Sequence, residues 1–224
     1  MIILIIKVII MELETLNPYV MKIIISAQEQ DSINAIASRI GLSYGWAYKW
    51  VNELVYLGVF KLRGKRLHSD KENPFYRTAL KFIKSAFSND ISFRYSVLQL
   101  FGISYCFTEI DSVFIWTKGG YNISRYKGHY PIFIKVSKDD YPLLIFYLRK
   151  LGFNNKKGVY YDIRIVDEVR CEFVDGIPVD PLKDTIDYMK RYIYNFQPAL
   201  EMVEEMYPKE VKTGIKYKEA VTNV

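Results

Sequence analysis

The segment Asp31–Arg66, DSINAIASRIGLSYGWAYKWVNELVYLGVFKLRGKR, constrains the fold of this chain more than any other stretch. Ile33, Ile36, Ala37 and Ile40 recur at helical spacing, which predicts a short amphipathic helix capped by Asp31 or Ser32. Gly41 ends that helix, Leu42 fills the corner, and Ser43 caps the next one just before Trp46. In the second helix Ala47, Trp50, Val51, Leu54 and Val55 form the stripe to be buried. Tyr44, Gly45, Trp46, Tyr48, Lys49 and Asn52 are left facing outward at its N-terminal end. Gly58 stops it, and VFKL, a tight Arg63-Gly64-Lys65 turn and RLHS predict a small basic hairpin. Upstream, Leu13, Tyr19, Val20, Ile23, Ile24 and Ile25 predict a first helix, broken near Asn17-Pro18, to pack beneath the pair.

Two helices joined by a glycine-containing turn, the second with exposed donors at its start, make a helix-turn-helix. With a basic hairpin directly after it, the stretch from Leu13 to Ser69 resembles the winged-helix transcriptional regulators. The resemblance implies double-stranded DNA as the partner. Ser43 and the helix N-terminus would then orient on a phosphate, and Tyr44, Gly45, Trp46, Tyr48, Lys49 and Asn52 would meet the major groove. Lys61, Arg63, Lys65 and Arg66 would ride the flanking backbone. A three-helix packing unit with no role on DNA is the plain alternative.

Net charge bears on that choice. The chain carries +6 with a pI near 9.0, which leans towards nucleic acid or an acidic partner, but no block of like charges concentrates it. Cys106 and Cys171 sit far apart in apolar, strand-like contexts and read as reduced core residues of an intracellular, cytoplasmic protein. His68 and His129 have no Cys or His at ligand spacing, so neither a structural zinc nor any other cofactor is expected. The opening MIILIIKVII contains Lys7 and falls well short of the roughly 20 apolar residues a membrane span needs. It also lacks the basic start and cleavage site of a signal peptide, so no membrane is expected. Either Met11 is the true start, or the decapeptide is an added strand or a dimerisation arm.

The polar run Ser69–Pro74 divides the chain into an expected winged-helix domain, 1–73, and a second domain, 74–224. The second begins with helices over Phe75–Phe87 and Ile91–Phe101, the latter stopped by Gly102. Strands are expected at Tyr105–Phe107, Val113–Trp116 and Tyr130–Val136, with a loop from Thr117 to Gly128 between the last two. Asp139 or Asp140 caps a helix to Leu151, and Gly158–Val166 with Val169–Val174 predict a hairpin across Asp167-Glu168. Helices over Leu182–Tyr194 and Pro198–Tyr207 precede a polar tail. Strands mixed with helices make the fold class α+β, a winged helix-turn-helix domain followed by a mixed domain with a helical C-terminus.

The segment Tyr95–Phe153 has an element order that weakly resembles a nucleotidyltransferase-like fold. Active members of that fold need a Gly-Gly or Gly-Ser turn and two carboxylates alternating on one strand, so that both face a pair of metal ions. Gly119-Gly120 is present, but Tyr130–Val136 carries no acid. Asp162 has Arg164 two residues on, where a second carboxylate would help, and Asp139-Asp140 are adjacent and explained as a helix cap. The loop bearing Lys118, Arg125, Lys127 and His129 is basic and reads as solvated, with nucleic acid or an acidic partner as the alternative. No phosphate-binding Gly-rich loop and no nucleophile elbow is present.

A winged helix followed by an α+β domain also resembles the AbiEi-type antitoxins of abortive-infection systems. FRYSVLQLFGI, SVFIWT and DGIPVDPLKDTIDYM carry that resemblance beside the helix-turn-helix. It implies operator binding by the winged helix and a second domain that counters a toxin protein. The expectation is therefore a non-enzymatic, homodimeric DNA-binding regulator without catalytic or metal residues. A nucleotidyltransferase-type enzyme with a docking module, and a protein-interaction adaptor using the Tyr/Trp face, are the competing classes.

Overall fold

The computed structural model describes residues 17–126, 128–208 and 211, and its fold is α+β. The N-terminal decapeptide, the part of the expected first helix before Asn17, Lys127 and most of the polar tail lie outside the described residues. The chain forms two compact units, Met1–Ile103 with Leu143–Asn155, and Ser104–Pro142 with Lys156–Val224. Pro74, where the sequence places its boundary, opens a helix inside the first unit.

In the first unit, α1 (Pro18–Ser26) starts at Asn17, whose side chain accepts from the Val20 N–H at 3.0 Å, and Pro18 sets the first helical φ. α2 (Ile33–Ile40) is capped by Ser32, not Asp31, and stops at Gly41 in the left-handed region, φ 68°. Asp31 is occupied otherwise: it accepts from Arg39 at 2.6 and 3.0 Å and from the Gln28 N–H at 2.9 Å. α3 (Tyr44–Tyr56) is capped by Ser43, as its sequence requires. Ile33, Ile36, Ala37, Ile40, Ala47, Trp50, Val51 and Leu54 are all buried, and they close over Val20, Ile23 and Ile24 of α1. Val55 is only partly covered.

β1 (Phe60–Arg63) and β2 (Arg66–Ser69) pair antiparallel in register Arg63↔Arg66, so the turn is the two residues Gly64-Lys65, with Gly64 at φ 61°. Phe60 and Leu67 point into the same core, and Leu67 exchanges backbone hydrogen bonds with Gln30 and Asp31, which fastens the hairpin to the link before α2. α4 (Pro74–Phe87), α5 (Ile91–Val97) and a 3-10 turn (Leu98–Leu100) follow. Asn73 caps α4 through Tyr76 N–H, and Gly102 ends the run in the left-handed region.

The second unit is built on a five-stranded sheet of order β5-β4-β3-β7-β6, from β3 (Tyr105–Phe107), β4 (His129–Ser137), β5 (Gly158–Val166), β6 (Glu172–Val174) and β7 (Ile177–Val179). Two sequence expectations are corrected here. Val113–Trp116 is not a strand but the end of α6 (Glu109–Trp116), because a short apolar run buried on both sides has no period that separates strand from helix. Gly158–Val166 does not form a hairpin with Val169–Val174 either. β5 runs parallel to β4, the pairing that a crossover through α7 (Tyr141–Leu151) permits. The hairpin is β6–β7, closed by Asp175-Gly176 with φ 50° and 80°, a pair of positive angles suited to Asp-Gly.

Three further findings concern single side chains. Asp140 accepts from Ser104 N–H and Ser137 Oγ–H, each at 2.8 Å, and so fastens the turn before α7. Arg125 is no solvated loop cation, since its guanidinium is buried against Asp111. Cys106 is buried as expected, but Cys171 is half-exposed. The chain ends in α8 (Leu182–Arg191) and α9 (Ile193–Met206), with Pro198 inside α9 instead of at its start. The Gly119-Gly120 pair closes α6, and a Cβ on Gly120 would stand 2.3 Å from Met202 Cε, so that glycine serves packing against α9.

Candidate functional site

The first candidate surface lies on the first unit and comes from α3 and the hairpin. Ser43 places its side chain on the Trp46 N–H, and the remaining donors of the first turn open outward, an arrangement suited to an anion. Tyr44, Gly45, Trp46, Tyr48 and Lys49 are exposed, and Asn52 is half-buried. Trp46 is 52% exposed and stands in a run of rings, with Tyr19 at 5.8 Å and Trp50 at 6.4 Å between centroids. Tyr44 and Tyr48 stack at 5.9 Å, as residues four apart on a helix can. The Lys49 ammonium sits 4.5 Å above the Trp50 ring, so this cation is held against the helix surface.

The four hairpin cations are not equivalent. Lys61, Arg63, Lys65 and Arg66 are all exposed. Lys61 pairs with Asp70 at 2.9 Å, which holds the Asp70 carboxyl below its ordinary range, and Arg66 donates to the Gln30 carbonyl at 3.2 Å. Arg63, just before the turn, and Lys65, within it, have no ion-pair partner among the described residues. The sequence-predicted residues of α3 thus lie along its exposed N-terminal part, with Asn52 half-buried behind them, and those of the hairpin on its two strands and turn.

The second candidate site is a cleft in the second unit. Arg164 on β5, Lys135 on β4 and Cys106 on β3 are register partners, so they stand in one row across the sheet. Asp180, 5% exposed and just past β7, ends the row: both its oxygens accept from Lys135 Nζ at 2.8 Å. It also accepts from Thr108 Oγ1–H at 2.5 Å and from the Cys106 thiol at 3.2 Å. Burial and the Asp180 charge push that thiol well above its usual range, so Cys106 is not a ready nucleophile.

Glu109 opens α6 with φ 52°, in the left-handed region, and forms an ion pair with Arg164. Burial raises its carboxyl above the usual range, and the neighbouring Asp162 adds to this while Arg164 opposes it. α8 supplies the opposite wall with Asp184, Asp187, Tyr188 and Arg191, spaced to share one helix face. The cleft between them is about 400 Å³. Burial pushes the Tyr188 hydroxyl up to about 12, so it stays protonated at neutral pH.

Asp139, Asp140 and Asp162 do not converge. Asp140 is fastened at Ser137, the end of β4, whereas Asp162 lies opposite Phe133 in mid-strand, and Asp139 is exposed. Among the described residues no three of His, Cys, Asp and Glu gather as a metal ion would require. Sequence reasoning passed over Glu109, Lys135 and Asp180, which lie in separate segments. Only the Asp-Gly hairpin signal, which sets the course of β7 towards Asp180, hinted at their meeting. Compared with known proteins, the chain matches no family model, no curated protein and no solved structure. No described helix is long and apolar enough to cross a membrane.

Proposed function

We propose that this protein is a sequence-specific regulator that binds double-stranded DNA through a winged helix made of α1, α2, α3 and the β1–β2 hairpin. The observation that carries the reading is the capped, outward-facing N-terminal half of α3 beside a hairpin with two cations at its turn that have no ion-pair partner among the described residues. A helix start exposes N–H donors to phosphate, and Lys49 and Asn52 behind it can reach base edges. Arg63 and Lys65 contribute the part of the affinity that salt screens. The excess of positive charge favours such a partner.

In this reading the protein acts in the cytoplasm as a homodimer and by binding, without turnover. The second domain of the AbiEi-like arrangement senses a ligand or engages a toxin protein. The decisive measurement is fluorescence anisotropy with a randomised duplex pool over a series of salt concentrations. Selection of one sequence family, with affinity falling steeply as salt rises, supports the reading. No duplex binding at about 50–100 mM salt, where phosphate contacts dominate, would remove it.

One observation favours a second reading. Tyr44, Trp46 and Tyr48 form an exposed aromatic face, and tryptophan is enriched at protein interfaces. A protein-interaction adaptor would use this face and show no salt-dependent binding to duplexes.

A further inference from the structure

We propose that the cleft of the second unit binds a small organic cation, an amine or guanidinium compound, held between the α8 carboxylates and the Tyr188 ring. The argument begins with the charges that are already matched. Lys135 is neutralised by Asp180, and Arg164 by Glu109, so the sheet side of the cleft has no charge left over. On the α8 side, Asp184 and Asp187 have no ion-pair partner among the described residues. Arg191 turns its Nε towards the Asp187 backbone carbonyl at 3.4 Å and not to a carboxylate. Two carboxylates therefore face one cation, and the unmatched charge is negative.

The alternatives fit less well. An anion at Arg191 would stand beside the Asp184 and Asp187 carboxylates, and one at Lys135 or Arg164 would have to displace Asp180 or Glu109 from its partner. A bare metal ion finds no group of three ligating side chains among the described residues, and Lys135 and Arg164 would repel it. The volume of about 400 Å³ is also far beyond what one ion with a water or two would fill, at about 30 Å³ per water. Tyr188 adds the feature that an organic cation uses: an aromatic face beside carboxylates, with the ring steadied by Tyr192 at 5.1 Å and Phe196 at 5.3 Å. The wall opposite is rigid, because Asp180 is held by four side-chain donor contacts, and Glu109 keeps a backbone conformation that persists only where its surroundings enforce it.

The test is isothermal titration of the full chain with putrescine, spermidine and agmatine at constant ionic strength, with potassium chloride, magnesium chloride, sodium phosphate and glutarate as controls. At least one amine should bind one to one with a submillimolar Kd, and the controls should not. Asp184→Asn/Asp187→Asn should weaken that binding about tenfold or more, as expected for the loss of charge-assisted contacts. Both positions are exposed, so the fold is kept, and circular dichroism checks it. Asp187→Lys should abolish binding outright. The proposal is overturned if no amine binds below about 1 mM, if the double variant binds as the parent does, or if phosphate or glutarate binds instead. DNA binding by α3 and the hairpin is measured separately, and either idea can fail alone.

Discussion

Arg125 Nη1 stands 2.9 Å from Asp111 Oδ1, and neither side chain has any surface open to water. The other Asp111 oxygen accepts from the Phe133 N–H at 2.6 Å, and the guanidinium lies 4.9 Å from the Tyr130 ring centre. One ion pair thus fastens α6, the long loop and β4 together. Removing one partner leaves the other charged in a dry environment, so Asp111→Asn or Arg125→Met should each cost about 3–5 kcal/mol. Replacing both, as Asp111→Leu/Arg125→Met, should cost less than the sum of the two. Urea unfolding curves provide the comparison, and a parental midpoint for Arg125→Met would contradict it.

Lys150 ties the first unit together in a way that pH should reveal. Its ammonium donates to the carbonyls of Ile25 at 3.0 Å and Ala27 at 2.8 Å, at the end of α1. Burial among the rings of Tyr76, Phe146 and Tyr147 lowers its pKa to about 7, with Asp31 opposing the shift and Arg39 adding to it. In the unfolded chain the same group titrates near its ordinary value, about 10.4. Between these values the unfolded state holds more protons, so stability should rise with pH from about 7 towards 10, and below 7 this contribution should be flat. The effect is at most a few kcal/mol. Comparing urea midpoints at about pH 7 and pH 8.5 keeps tyrosine ionisation small. Lys150→Met should flatten the difference, and an identical pH profile in the two proteins would show that Lys150 is not the source.

Much of the first unit was legible because its residues report their own neighbourhood. Ser43, Gly41 and the Ile33–Ile40 stripe act locally, through a cap, a left-handed stop and a helical period. The α+β class was equally accessible. The second unit was harder. Val113–Trp116 reads the same as a buried strand or a buried helix turn, and nothing in β5 says that its partner is β4, across α7. Asp175-Gly176 was a readable hairpin signal that the longer run to Val174 obscured. The cleft was beyond reach, because Glu109, Lys135, Arg164 and Asp180 meet only through strand register and sheet order.

The second unit offers Asp162 as its sole carboxylate in mid-β5, two residues from Arg164 and near the Glu109–Arg164 pair. A nucleotidyltransferase would need a further carboxylate alternating with it on the same strand, where Arg164 stands. Incubation with each nucleoside triphosphate and Mg²⁺ or Mn²⁺ should therefore give no turnover and no self-labelling. Turnover that Asp162→Ala abolishes would make this protein an enzyme and not a regulator.

The hairpin supplies the sharpest test of DNA binding, because its cations differ in their partners. Arg63 before the turn and Lys65 within it can neutralise phosphates directly, so Arg63→Ala and Lys65→Ala should each reduce the slope of log affinity against log salt by about 0.9. Lys61 must first leave Asp70, and Arg66 the Gln30 carbonyl, so their alanine variants should change the slope less. All four changes should weaken binding to every duplex alike, since phosphate contacts carry no sequence information. Asn52→Ala should behave differently, relaxing preference at one base pair by about 1–3 kcal/mol while leaving the slope intact. Competition anisotropy at several salt concentrations measures both quantities in one series. Hairpin variants with the parental slope, combined with a Trp46→Ala variant that loses a protein partner, would move the function of this surface from DNA to the exposed aromatic face of α3.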